Sequence, residues 1–153
     1  VGIYFYEGAP EMIFLSSDHG GIDIKKELAR YLEESGIPHE DLGPFTFDPQ
    51  DDYPDYTEKL VKKMLETPDS RGVLICKNGV GVTIAANRYK GIRAGLSWNE
   101  THAASSRRDD DTNVLTLAAD YVKIHEALTI FKSWVNTPFS NEERHKRRLA
   151  KIL

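Results

Sequence analysis

From Met12 onward, short apolar runs alternate with stretches of helical period. The runs 12–17, 39–42, 72–76, 93–96 and 114–117 have the length and flanking turn residues of buried strands. Ile24, Leu28, Tyr31 and Leu32 mark one helix face, and Tyr56, Leu60, Met64 and Leu65 a second. Further helices are predicted over 80–87 and 99–108, the latter with Ser97-x-x-Glu100 as a capping box. A fifth carries Ile124, Ala127, Leu128, Phe131, Trp134 and Val135 and is ended by Pro138. Ser140-x-x-Glu143 then caps a last helix reaching residue 153. Strand–helix alternation of this kind predicts an α/β fold, a parallel sheet with helices on both faces. Residues 12–153 read as a single domain. Residues 1–11 read as an extension, either an edge strand or a remnant upstream of a native start at Met12, with no function assigned. The longest irregular stretch, 43–52, is placed to border a site.

Composition narrows the classes. The 153 residues are 40% hydrophobic and 29% charged, the balance of a globular protein with a core of its own. With 24 acidic against 20 basic side chains, the net charge of −4 offers no basic field for nucleic acid. No apolar run approaches the ~20 residues of a membrane span, and no secretory signal is visible. A single cysteine excludes an internal disulfide framework and suits a reducing cytoplasm. The histidines at 19, 39, 102, 125 and 145 lack zinc-ligand spacing, so no metal site is expected.

The chemistry gathers where strands end. In an open α/β sheet, ligands bind outside the carboxyl ends of strands, where chain order reverses. If the first and third strands are neighbours, Ser17-Asp18-His19-Gly20-Gly21 lies beside Cys76-Lys77-Asn78-Gly79-Val80-Gly81. A carboxylate, an imidazole, a thiol and a nest of backbone N–H donors then share one crevice. A lone cysteine at a strand end is by default a small buried hydrophobe. Here a glycine-rich turn opening a helix follows it, an environment that favours thiolate. On the last helix, Arg144 and Arg148 stand i,i+4 on one face with His145 about 100° away. Two guanidinium forks suit phosphate oxygens; a solvated basic helix end is the plainer alternative.

Taken in order, the motifs resemble the family of ribose-5-phosphate isomerase B and the galactose-6-phosphate isomerase subunits. They are Ser17-Asp18-His19-Gly20, Asp52-Tyr53-Pro54, Cys76-x-x-Gly79-Val80-Gly81, Ile84-Ala85-Ala86-Asn87-Arg88 and Gly91-Ile92-Arg93-Ala94. Asp111-Thr112-Asn113-Val114-Leu115 and Arg144-His145-x-x-Arg148 complete the set, so the likeness runs over 12–153. The resemblance implies a Rossmann-like three-layer α/β/α sandwich on a five-stranded parallel sheet. It implies an aldose–ketose isomerase of a phosphorylated sugar, working through a cis-enediolate without metal or organic cofactor. It also implies a homodimer or dimer of dimers whose active sites are shared between subunits. Ribose 5-phosphate is the first expected substrate; a hexose 6-phosphate and a non-catalytic phosphosugar-binding subunit are the alternatives.

In one branch of that family the base is a cysteine at the position of Cys76. The other uses a glutamate that would fall at Val82, so this chain sits with the cysteine branch. By the same resemblance Asp18 orients substrate hydroxyls, His19 meets the phosphate and Tyr53 lines the sugar. Gly79 and Gly81 supply N–H donors, and Arg144, His145 and Arg148 clamp phosphate. Asn78 stands where relatives often carry Ser or Thr; it can hydrogen-bond a sugar oxygen but cannot pass a proton as a hydroxyl would.

The chain also departs from the pattern. Where the family has His-Asn, with the histidine assisting ring opening from the neighbouring subunit, this chain has Asp109-Asp110. An arginine expected after the fifth strand is Asp120, and a glycine expected after the cysteine is Lys77. Three readings follow. Asp109 replaces the ring-opening histidine while Lys77 helps hold phosphate or enediolate. Or ring opening is left to solution. Or the site serves a different phosphosugar or needs a different partner subunit. His102, about 10 Å from Asp109 along the helix, is not a direct substitute. The default reading of 107–111 remains a solvated helix end.

Overall fold

The computed structural model describes residues 6–152. Among these, five strands form one sheet: β1 (Met12–Ser17), β2 (His39–Asp41), β3 (Ser70–Cys76), β4 (Ala94–Leu96) and β5 (Val114–Ala118). Their order is β2-β1-β3-β5-β4, and every pairing is parallel. The helices are α1 (Ile22–Glu34), α2 (Tyr53–Glu66), α3 (Val80–Ala86), α4 (Glu100–Asp110), α5 (Ile124–Val135) and α6 (Glu143–Leu149). A 3-10 turn, His19–Gly21, links β1 to α1.

Two apolar layers flank the sheet, because successive strand residues point to opposite faces. Ile13, Leu15, Val73, Ile75, Leu115 and Leu117 pack with Leu28 of α1 and Phe131 and Trp134 of α5. Phe14, Leu74, Cys76 and Val114 face the other way, onto Leu60 and Val61 of α2 and Val82 of α3. The predicted three-layer sandwich is therefore the fold, and the Cys76 side chain belongs to the α2–α3 layer. The apolar pattern hid one buried polar tie. Lys25 of α1 is fully buried, and its Nζ lies 2.8 Å from both carboxylate oxygens of Asp41 at the end of β2.

Several boundaries differ from expectation. The N-cap of α4 is Asn99, whose side-chain oxygen accepts the His102 N–H at 2.8 Å. Ser97 instead pairs its hydroxyl with His102 Nδ1 at 2.9 Å, so the expected capping box does not form. At α6 the flanking residue is Glu142; Ser140 Oγ accepts the Glu142 N–H, and the helix ends at Leu149 rather than 153. Most of the sequence segment read as a possible edge strand, residues 1–5, lies outside the described residues. Beyond it, Tyr6 donates its hydroxyl to the Val135 carbonyl at 2.6 Å and accepts from Arg71, and Arg71 also reaches the Gly8 carbonyl. Residues 6–11 form no strand and lie against the amino ends of the sheet. No helix among the described residues is long and apolar enough to cross a membrane.

Candidate active site

β1 and β3 are neighbours, with Ser17 opposite Ile75, so the two loops leaving them lie side by side as the sequence predicted. β1 breaks at Asp18, which accepts the Gly20 N–H on Oδ1 at 2.9 Å and starts the 3-10 turn. That carboxylate is 7% exposed, and burial pushes its pKa up; the Gly20 N–H, His19 and Lys77 oppose the shift. β3 breaks where Gly79 takes a left-handed conformation (φ 73°). A side chain there would press Leu96 and the backbone of 117–118, so the turn requires glycine.

The Cys76 thiol is 4% exposed and lies 3.9 Å from the Asn78 side-chain oxygen, which also accepts the Val80 N–H at 3.0 Å. Asn78 thus orients the thiol and caps the first turn of α3. Its NH2 group has no partner among the described residues and is the part left for a ligand oxygen. Tyr53, at the start of α2, closes one side: a Cβ on Gly81 would stand 2.6 Å from its ring. Lys77 leans across the crevice over Gly20, where an added Cβ would meet its Cγ at 2.6 Å. Its carbonyl accepts the Asp120 N–H at 2.9 Å, so the unexpected cation and the unexpected acid are neighbours.

The loop 43–52 borders this crevice through Asp51, which the sequence reading missed. Asp51 Oδ1 lies 2.6 Å from His19 Nδ1 and accepts the His19 backbone N–H at 3.1 Å. Phe47 of the same loop meets the His19 ring edge-on, with centroids 5.6 Å apart. The one available signal was the doubled acid Asp51-Asp52 before Tyr53-Pro54, at the end of the longest loop. Asp18, His19 and Asp51 offer ligand atoms within 4.8 Å of one another.

The remaining predicted residues lie elsewhere. Asp109 and Asp110 end α4, and the chain then enters β5 at Val114 opposite Gly72, whereas Cys76 stands opposite Ala118. Four strand residues, about 13 Å, separate those two ends of the sheet. Asp109 is 3.7 Å from His145 Nε2, a buried nitrogen without a hydrogen bond among the described residues. Arg144 pairs with Glu142 at 2.7 Å, and Arg148 has no ion-pair partner among the described residues. Asp110 lines a cavity of about 980 Å³ with Arg88, Arg93, Phe139 and Lys146. His102 stacks on Trp98 (centroids 3.9 Å apart) and bonds Ser97, so it serves neither cluster. The described residues thus hold two separate clusters, a thiol–carboxylate–imidazole crevice at the carboxyl end of β3 and a group with Asp109, Arg144, His145 and Arg148 beyond the amino end of β5.

A parallel β2-β1-β3-β5-β4 sandwich with a polar crevice at its β1/β3 switch point is a doubly wound α/β protein of the kind that binds ligands at that crevice. The Ribose/Galactose Isomerase family model matches residues 13–152; the chain belongs to that family and is an aldose–ketose isomerase. Its curated relatives include the probable ribose-5-phosphate isomerase B of Mycoplasma pneumoniae, 41% identical over 141 residues and covering 92% of each chain. A ribose 5-phosphate isomerase from Thermotoga maritima superposes with a TM-score of 0.86 at 37% identity, over 92% of this chain and 96% of that one. Ribose-5-phosphate isomerase B from Mycoplasma genitalium, solved with bound ribulose-5-phosphate, gives 0.83 at 39% identity, over 92% and 93%.

Proposed function

We propose that this protein interconverts ribose 5-phosphate and ribulose 5-phosphate, with Cys76 as the base that moves a proton between adjacent carbons. The observation that carries the reading is the placement of the thiol. Cys76 stands at the β1/β3 switch point beside Asp18 and before the Gly79–Gly81 turn. The named activity of relatives near 40% identity supports the substrate. The thiolate takes the proton from the carbon next to the carbonyl. The enediolate oxygens then face the N–H groups of the glycine turn, the Asn78 amide and Lys77. Asp18, held with a raised pKa, is suited to hydrogen-bond the sugar hydroxyls. His19, with Tyr53 beside the sugar, meets the phosphate.

The second cluster completes the reading. Arg144, His145 and Arg148 would supply the phosphate clamp and Asp109 and Asp110 the ring-opening end, contributed by a second copy of the chain in a homodimer. Solvent-deuterium exchange at the carbon next to the carbonyl tests the base, using pentose and hexose phosphates in parallel. Exchange and conversion with ribose 5-phosphate are expected, and Cys76→Ala should abolish both. Exchange that survives Cys76→Ala would remove the thiol from the mechanism. Turnover confined to hexose phosphates would reassign the substrate, and binding without exchange would mark a non-catalytic subunit.

A further inference from the structure

The His19–Asp51 contact is tighter than a loop needs. Asp51 places one oxygen, Oδ1, against both the ring and the backbone N–H of His19, at 2.6 and 3.1 Å. A carboxylate only accepts, so the ring nitrogen at that distance carries the hydrogen, and Nδ1–H is the tautomer that fits. The aspartate side chain is 7% exposed, and its second oxygen is buried with no partner among the described residues. A buried carboxylate oxygen without a donor is costly, so the group is not placed for its own satisfaction. Phe47, itself largely exposed, meets the imidazole edge-on. Nε2 is left without a protein partner among the described residues, on a ring 16% exposed beside Asp18.

We propose that Asp51 is a positioning residue that holds His19 with Nδ1–H on its carboxylate and Nε2 turned to the substrate, so that Nε2 and a phosphate oxygen, both acceptors, meet across one shared proton. The inference rests on the isomerase reading above and adds to it a residue that touches His19 and not the sugar. The rival role is a loop clip, in which the same contact merely ties 43–52 to the turn after β1. The two differ in what they move. A clip affects melting temperature alone, whereas a positioning group changes the imidazole and, through it, substrate affinity.

The experiment combines ¹⁵N-histidine NMR with steady-state kinetics on wild type, Asp51→Ala and Asp51→Asn, using ribose 5-phosphate. Wild type is expected to show His19 as Nδ1–H. Asp51→Ala should lose that tautomer and raise KM roughly 10-fold, with kcat changed much less, because binding is lost in ground and transition state alike. Asp51→Asn keeps an acceptor oxygen and should restore most of the wild-type KM. An Nε2–H tautomer in wild type overturns the proposal without any variant having to fold. So does an Asp51→Ala protein with unchanged KM and tautomer, or one that loses kcat at constant KM. If wild type turns over no phosphosugar, the isomerase reading falls, and the tautomer measurement still decides whether Asp51 positions His19.

Discussion

Asp18 shows how a single side chain ties the site to the stability of the molecule. Burial is the largest influence on its carboxyl, and the net shift is upward from 3.8. The charged form is therefore the one the fold disfavours. Such a group contributes its full stability below the unfolded value and loses it as pH rises through the higher folded value. Asp18→Asn, which keeps the oxygen that accepts the Gly20 N–H, should then melt higher than wild type near neutral pH. The difference should shrink to a small constant below the ordinary carboxylate range. Melting temperatures across that range check the sign, and a variant destabilised at neutral pH would contradict it. Isomerisation should fall in the same variant, since an NH2 group replaces one of the two oxygens that accept from the sugar hydroxyls. Cys76 illustrates the limit of reading residues singly. Its type and strand-end position are those of a core residue, and only the Asn78 contact and the turn that follows support the proposal that it is the base.

Among the elements, α1 and β2 are held by a bond that apolar periodicity does not reveal. Lys25 lies on the buried face of α1, and Asp41 is its only carboxylate partner among the described residues. Replacing Asp41 by Ala strands a fully buried ammonium, a change that costs about 3–5 kcal/mol. Urea unfolding should show the midpoint fall with little change in slope. A loss below about 1 kcal/mol would mean that water reaches the lysine. At α3 the tight element contact borders the crevice instead. Gly81→Ala would drive the Tyr53 ring from its seat, since the new Cβ would stand 2.6–3.0 Å from three ring atoms. The expected result is a raised KM for phosphosugar in a protein that still folds, and an unchanged KM would show that Tyr53 does not line the sugar.

At the scale of the molecule, the two clusters lie toward opposite ends of the strands, and the proposal that a dimer joins them can be tested by assembly. Neither Cys76→Ala nor Arg148→Ala should isomerise well alone. In a two-fold dimer with shared sites, a mixed dimer rebuilds one intact site from the wild-type half of each subunit. Mixing the variants after reversible dissociation should recover about a quarter of wild-type activity, because half the dimers are mixed and each has one good site. No recovery in verified mixed dimers would put the whole site within one chain.

The strand and helix order was legible in the sequence because burial on one or both faces imposes period 2 or 3.6 on apolar residues. The crevice residues Asp18, His19, Cys76 and Asn78 were legible for a related reason: glycines and polar residues end strands where backbone must turn. Cap choice at α4 and α6 was not, since Ser, Asn and Glu compete locally and geometry selects among them. Nor was Asp51, whose meeting with His19 spans 32 residues and exists only once the loop folds over the β1 end. Local pattern is written residue by residue along the chain. Distances across it, including the ~13 Å of strand between the crevice and the end of the sheet where α4 meets β5, are decided by packing.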